Sequence, residues 1–339
     1  NHKHHIALIG CVHGKIEEAF KRVEDHEKET GKAVDLILCT GDLQTTRDEE
    51  DLKFLKVSDK YKSIGDFPKY YSGTLKVPHL TIFIGGNHEA SNVLHHLFYG
   101  GFVAPNFYYM GAAGAVHVKG LKIVGISGIF KFYDSKKPYS YPPQVEDLYS
   151  LFHTRLAQTY LVNNLTHPPV DIVLSHDWPK GVVTKGDTRR LYKIVPHLRQ
   201  DGPNLGNPLT ADSLRALKPK YWVSGHFHCG YTAHDEPTDF IALGKIGYDN
   251  AVSFIDVEVN GDGKDTLVYD KDWICNVVMS WSCYTSEKSF PTSADDVKNA
   301  LSMRNADLDQ RICTEWEKRY GWDVPVNTDV ESQFSEFRG

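Results

Sequence analysis

Five short apolar runs in this chain each lead, directly or after one threonine, into a glycine or serine and then into histidine, aspartate, asparagine or cysteine. The runs are HHIALI (4–9), VDLILC (34–39), LTIFI (80–84), DIVL (171–174) and YWVS (221–224). The segments that close them are GCVHG (10–14), GDLQ (41–44), GGNHE (85–89), SHDW (175–178) and GHFHCG (225–230). Runs this short that are apolar on both faces read as strands of a covered sheet. A glycine at the strand end allows a tight turn, so the polar residues after it are presented at the sheet's edge. The repeated pattern predicts an α/β fold whose functional loops gather at the carboxyl ends of its strands.

The remaining sequence fills in that frame. KIEEAFKRVEDHEKE (15–29) is an amphipathic helix, with Ile16, Ala19, Phe20 and Val23 on one face and Gly31 as its stop. Residues 108–128 and 240–259 alternate strands with little helix, and IALGKIG and AVSFIDVEV read as antiparallel strands of a second sheet. Two sheets packed face to face with helices outside are predicted. Residues 129–145 hold no periodic element. A helix follows on Leu148, Leu151, Phe152 and Leu156; 262–290 reads as strand-like and irregular, and 295–320 as two helices. At 339 residues the chain is long enough for about two domains. The expected division is a catalytic domain over 1–260, with an insertion at about 129–155, and a smaller carboxyl-terminal domain over 261–339.

Composition excludes several classes. The net charge of −6 (38 Lys and Arg against 44 Asp and Glu) argues against gripping nucleic acid by bulk charge. No apolar run is long enough to span a membrane, and no signal-peptide pattern opens the chain. The six cysteines, at 11, 39, 229, 275, 283 and 313, are scattered without a CxxC pair. They read as reduced thiols in an intracellular protein.

The strand-end segments collect Cys11, His13, Asp42, Asn87, His88, His176, His226 and His228. These donors exceed what one divalent ion accepts and suit two ions bridged by a carboxylate. Asp42, in the only strand-end Gly-Asp, is assigned as the bridge. Two cations roughly 3.5–4 Å apart clamp the attacking and leaving oxygens of an in-line phosphoryl displacement. They also lower the pKa of a shared water, and their charge offsets that of a phosphodiester. Singly, each motif is weak, because a lone HxH is more often two surface or core histidines and a lone cysteine a small buried residue. Their common placement is what makes the reading specific.

The order C-x-H, GD, GNHE, SHDW, GHFH resembles the calcineurin-like metallophosphoesterase superfamily. That superfamily usually opens on D-x-H, where this chain has Cys11. GCVHG, FIGGNHEASN (83–92), YGGFVAPNFYYMG (99–111), GISGIFK (125–131), DIVLSHDWP (171–179) and YWVSGHFH (221–228) are similar to segments of its RNA lariat debranching family, over most of 4–260. The resemblance implies a four-layer α/β/β/α sandwich and hydrolysis of the 2′,5′-phosphodiester at an intron branch point. It implies one ion on Cys11, His13, Asp42 and His228, and another on Asp42, Asn87, His176 and His226. His88 is left as a non-ligand that protonates the departing 2′-oxygen or hydrogen-bonds the phosphate. Thiolate is softer than carboxylate, which favours Zn²⁺ or Fe²⁺ over Mg²⁺ at the Cys11 site, with Mn²⁺ a further candidate. Asp177 either orients a metal-bound histidine or caps the next turn.

In that family the insertion is the lariat-recognition loop. Here it supplies Lys131, Lys136, Lys137, Arg155, Phe132, Tyr133, Tyr139 and Tyr141, the cationic and aromatic groups that hold single-stranded RNA. Lys131, Tyr141 and Arg155 are the substrate-contact candidates. KGDTRRLYK (185–193) reads as a solvated helix face. The alternative function is a general metallophosphoesterase acting on other phosphomonoesters or phosphodiesters; a non-catalytic scaffold ranks last because every expected ligand position is filled. The resemblance implies branched RNA as partner and a nuclear location.

Overall fold

The computed structural model describes residues 2–140, 142–281, 289–290, 293–326 and 337. Two sheets form its centre. One has six strands in the spatial order Val252–Val259, His2–Ile9, Leu36–Cys39, Thr81–Phe83, Phe107–Tyr109 and Gly101–Ala104. The other has seven: Tyr231–Asp235, Thr238–Ala242, Tyr221–Ser224, Ile172–Ser175, Leu121–Ile126, Ala113–Val118 and Val268–Tyr269. In each sheet the middle pairs are parallel and the outer ones antiparallel.

The period-2 alternation of a strand explains the layering. Ile6, Leu8, Leu36, Leu38 and Ile82 face one way and join a core shared with Ala113, Ala115, Ile123, Ile172 and Val223 of the second sheet. Their neighbours Ala7, Ile9, Ile37, Cys39 and Phe83 face the other way and join Ile16, Ala19, Phe20 and Val23 of the helix Ile16–Thr30. That helix ends at Gly31 in the left-handed conformation, where its stop is expected. The sandwich of two sheets between helices is therefore as the sequence implies.

Three details differ. The strands within 238–242 and 252–259 lie in different sheets: Thr238–Ala242 pairs with Tyr221–Ser224, and Val252–Val259 runs antiparallel to His2–Ile9. Strand partners are set by long-range packing, which alternation alone does not encode. The helix expected from Leu148 to Leu156 is two short helices, Leu148–Leu151 and Leu156–Tyr160, separated where the Ile129 N–H donates to the Phe152 carbonyl and the Thr154 N–H to the Ile129 carbonyl. Finally, 262–290 contains a ten-residue helix, Lys271–Ser280, capped by the Asp270 carboxylate, which accepts the Trp273 N–H.

The carboxyl-terminal segment is built into the fold. Val268–Tyr269 extends the seven-stranded sheet, and Trp273, Ile274, Val277, Ile312 and Trp316 belong to the same apolar cluster as the two sheets. The helices Ala294–Ser302 and Ala306–Tyr320 are observed where two helices are expected. Val297 and Ala300 of the first pack on Ala157 and Leu161 beside the insertion. Among the described residues no helix is long and apolar enough to cross a membrane.

Candidate metal centre and its surroundings

The strand-end segments converge at one edge of the sandwich. One ligand atom each from Cys11, His13, Asp42 and His228 lie within 4.8 Å of one another. Of the eight non-glycine residues with positive φ among those described, four are candidate ligands: His13 (51°), Asp42 (54°), His226 (72°) and His228 (55°). The left-handed region costs an ordinary residue about 1–3 kcal/mol, so this concentration of strain marks a place where the surrounding fold over-determines the backbone. Gly86 is required by close approach: a Cβ there would land on the Asp42 carboxylate and against the His176 ring.

The donors are held from behind. His176 is fully buried; its Nδ1–H donates to the Thr40 carbonyl (2.6 Å), so Nε2 faces Asp42 Oδ2 at 3.4 Å and Asn87 Oδ1 at 3.1 Å. Such a backbone partner fixes the tautomer and aim of a ligating ring. The His176 and His226 rings lie 5.0 Å apart. Trp178 donates its indole N–H to the Gly225 carbonyl (2.9 Å), tying the SHDW turn to the GHFH turn.

Glu89 ties the GDLQ turn to its own GGNHE turn. Fully buried, it accepts N–H bonds from Gly86 (2.8 Å), Asp42 (3.1 Å) and Gln44 (2.9 Å). Burial, then the neighbouring Asp42 charge, pushes its carboxyl up to about 8. Nothing in the GNHE spelling distinguishes this orienting carboxylate from a ligand, so the sequence carries no sign of its role.

The donor set fits divalent cations. Asp42 Oδ2 is buried and accepts no hydrogen bond among the described residues, while Oδ1 accepts the His88 N–H (2.9 Å). A buried carboxylate oxygen without a donor costs free energy unless a cation meets it. The Cys11 sulfur is buried and accepts the His226 N–H (3.2 Å), and burial with the Asp42 charge raises its thiol well above the usual range. His13 Nε2 and His228 Nε2 face each other at 3.1 Å. Burial lowers His13 to about 4 and His226 to about 3, and lowers His228 as well. They are thereby kept in the neutral form that binds metal.

His88 stands beside this cluster, its ring 5.3 Å from that of His13. Its Nδ1–H donates to the Lys56 carbonyl (3.1 Å), so Nε2 is the nitrogen left to face a substrate, next to Asn87 Nδ2 at 3.3 Å. The Lys56 ammonium lies 4.3 Å over the ring of Tyr149 in the insertion. Lys56 sits in a segment with no motif, so no sequence signal points to it.

The insertion corrects part of the sequence reading. Arg155 is 1% exposed. Its guanidinium donates to the His153 carbonyl (2.9 Å) and Ser150 Oγ (2.6 Å) and lies 4.1 Å over the Tyr139 ring, so it knits the insertion instead of meeting substrate. Tyr141 lies outside the described residues. Lys131 is exposed, as are Phe132 (83%) and Tyr133 (61%). Tyr139 is buried, its hydroxyl 2.6 Å from the His153 carbonyl and 2.5 Å from Gln158 Oε1. Asp177 does not orient His176. It accepts the Phe130 N–H (3.0 Å), anchoring the start of the insertion, and burial raises its carboxyl to about 6. The basic stretch 185–193 forms the mostly exposed helix Thr188–Ile194.

A family model described as calcineurin-like phosphoesterase matches residues 4–230, and one described as the C-terminal domain of Dbr1 matches 266–338. The sequence is 49% identical over 336 residues to a lariat debranching enzyme of Entamoeba histolytica, covering 98% of this chain and 94% of that one. It is 40% identical over 285 residues to the Homo sapiens lariat debranching enzyme, covering 79% of this chain and 52% of that one. Against the Drosophila melanogaster enzyme of that name it is 44% identical over 232 residues, covering 67% and 43%. The chain thus spans nearly the whole of the first relative and about half of the two animal ones.

Proposed function

This chain belongs to the calcineurin-like phosphoesterases and, within them, to the lariat debranching enzymes, and from that premise we propose that it hydrolyses the 2′,5′-phosphodiester at the branch point of excised intron RNA. The observation that carries the reading is the convergence of Cys11, His13, Asp42 and His228 on one point, with His88 beside them and turned inward by Lys56. Two divalent cations would be the cofactors: Cys11, His13, Asp42 and His228 would hold one, and Asp42, Asn87, His176 and His226 the other. When bound, they supply positive charge and Lewis acidity at the phosphodiester. The thiolate of Cys11 favours Zn²⁺ or Fe²⁺ at its site.

The chain's own residues do the rest. Asp42 spans the two sites. Glu89 and Thr40 hold Asp42, Gln44, Gly86 and His176 in place, so the donors do not reorganise when substrate arrives. His88, as an imidazolium with Nδ1–H on the Lys56 carbonyl, presents Nε2–H to the departing 2′-oxygen and gives up that proton as the bond to phosphorus breaks, leaving the neutral ring. The exposed face of the insertion, with Lys131, Phe132 and Tyr133, receives the nucleotides around the branch. A nuclear location, where introns are released, belongs to the same reading, as does a division into a catalytic unit over 1–260 and a carboxyl-terminal unit over 261–339.

The test is cleavage of two matched RNAs by chain freed of metal and resupplied with Fe²⁺, Zn²⁺ or Mn²⁺. One RNA carries a 2′,5′ branch and the other only 3′,5′ links. Cutting confined to the branch, leaving a free 2′-hydroxyl, is expected. Equal cutting of both, or hydrolysis of simple phosphoesters alone, would move the function to a general phosphoesterase.

A further inference from the structure

Five of the six cysteines fall among the described residues, and they divide by surroundings. Cys11 lies in the candidate metal centre. Cys39 and Cys229 are buried and single, and burial raises their thiols to about 12 and about 11, which makes them inert. Cys275 and Cys313 are different. They sit on Lys271–Ser280 and Ala306–Tyr320, helices that pack through Ile274, Val277, Ile312 and Trp316, and their sulfurs are 3.8 Å apart. Cys275 is buried and Cys313 is half-buried. No other pair of described cysteine sulfurs is recorded in contact.

We propose that Cys313 and Cys275 form a reversible intramolecular disulfide under hydrogen peroxide, Cys313 reacting first and Cys275 resolving it. The roles follow from access and charge. Cys313 is the one peroxide can reach. The sulfur–sulfur hydrogen bond, with the Lys271 ammonium adding to its effect, holds the Cys313 thiol below the usual range; the same hydrogen bond and burial raise Cys275. A half-exposed thiol held below its usual range beside a second, buried thiol is the arrangement of peroxide-reactive cysteine pairs.

The chemistry balances. The Cys313 thiolate attacks one peroxide oxygen: an S–O bond forms, the O–O bond breaks and hydroxide leaves. The sulfur is oxidised by two electrons to a sulfenic acid as the peroxide is reduced. The Cys275 sulfur then attacks Cys313: an S–S bond forms, the S–O bond breaks, and water leaves with the Cys275 proton. Closing from 3.8 Å to the roughly 2.05 Å of a disulfide asks for side-chain movement of under about 2 Å. The bond would join positions 38 residues apart, a span that holds the helix Ala294–Ser302 packed beside the insertion. It is expected to raise the thermal midpoint by a few degrees, because the unfolded chain is constrained.

The experiment treats the full, metal-loaded chain with a few equivalents of hydrogen peroxide, alkylates the remaining thiols, and maps the peptides by mass. The expected product is a bridged peptide pair containing 275 and 313, lighter by two hydrogens and reversed by dithiothreitol. In Cys275→Ser the sulfenic acid at 313 should persist and be trapped by dimedone. In Cys313→Ser, at the more exposed position, Cys275 should stay reduced. Thermal melts of both variants separate misfolding from lost chemistry. The proposal is overturned if Cys313 still alkylates fully at a peroxide dose that oxidises Cys11. It is equally overturned if Cys313 pairs with Cys283, or if Cys275→Ser gives no adduct at 313.

Discussion

The strand-end loops and the insertion are joined where Asp177 accepts the Phe130 N–H (3.0 Å), and they are built on opposite principles. The loops concentrate donors. Their backbone is strained at His13, Asp42, His226 and His228, and their buried polar atoms include one, Asp42 Oδ2, left for a cation. The insertion satisfies itself inwardly. Asp134 and His153 pair at 2.6 Å, Arg155 caps Ser150 and His153, and what it leaves outside includes Lys131, Lys136, Lys137, Phe132, Tyr133 and Tyr149. One region is prepared to bind metal and do chemistry. The other is a stiff support for a few exposed rings and charges. The difference teaches that substrate contact should be sought among the insertion's outward residues, whereas the loop donors range from buried (Cys11, Asp42, His176) through half-buried (His13, Asn87, His226) to exposed (His228).

The sharpest way to break the comparison is at His88. His88→Ala should cut turnover on branched RNA by roughly 10²–10⁴, the usual contribution of general acid–base catalysis, with both cations still bound by elemental analysis. A diester with a good leaving group, such as a nitrophenolate, should suffer much less, since its departing oxygen needs no proton. Loss of metal in this variant would place His88 among the ligands.

Cys11→Ser comes next. Removing one of the four clustered donors should weaken one cation by about a hundredfold or more and leave the other in place, so metal content falls toward half. Equal loss of both cations would mean that the two sites form and empty together.

On the insertion, Phe132→Ala and Tyr133→Ala should each weaken branched RNA by an amount typical of one lost base stack, about 1–3 kcal/mol, without touching hydrolysis of a small chromogenic diester. Both rings are exposed, so folding should not suffer. Arg155→Ala supplies the contrast. It removes a buried cation that three groups of the insertion use, and it should lower stability as well as RNA affinity. If Arg155→Ala left the melting temperature unchanged while abolishing RNA binding, its assignment as an internal brace would be wrong.

The same contrast explains what was legible in the sequence. Cys11, His13, Asp42, Asn87 and the later histidines announce themselves because each follows an apolar strand through a glycine or serine, and strand ends of parallel sheets are where such groups meet. The two-sheet sandwich follows from the alternation of apolar faces. Arg155 reads in the sequence as a substrate contact and is instead an internal brace, because an arginine in a lysine- and tyrosine-rich stretch looks the same whether it points in or out. The sheet membership of 238–242 and 252–259 depends on partners more than a hundred residues away for the second strand. The helix Lys271–Ser280 was missed because Ile274, Val277 and Val278 suit a strand equally well; Asp270, three residues before the Trp273 N–H it accepts, was the available clue. Lys56 gave no signal, since it acts on His88 through its backbone carbonyl.

The smallest effect separates the two regions by pH. Burial lowers His153 below its ordinary value of 6.5, and Asp134, although burial pulls the other way, is held below 3.8 by its hydrogen bond from His153. For both groups the unfolded form binds protons more readily than the folded one. Stability from His153 is therefore complete above 6.5 and is lost as pH falls toward its folded value; that from Asp134 is lost only below 3.8. Between pH 7.5 and 5.5 the His153 contribution should weaken while that of Asp134 stays whole. Amide exchange at 129–135, corrected for the intrinsic pH dependence, should quicken over that window as the Asp134–His153 pair opens. His153→Gln, which retains a donor for Asp134 but does not titrate, should flatten the profile. If wild type and this variant changed alike, the loosening would originate elsewhere, and the insertion would owe its stiffness to Arg155 and Tyr139 instead.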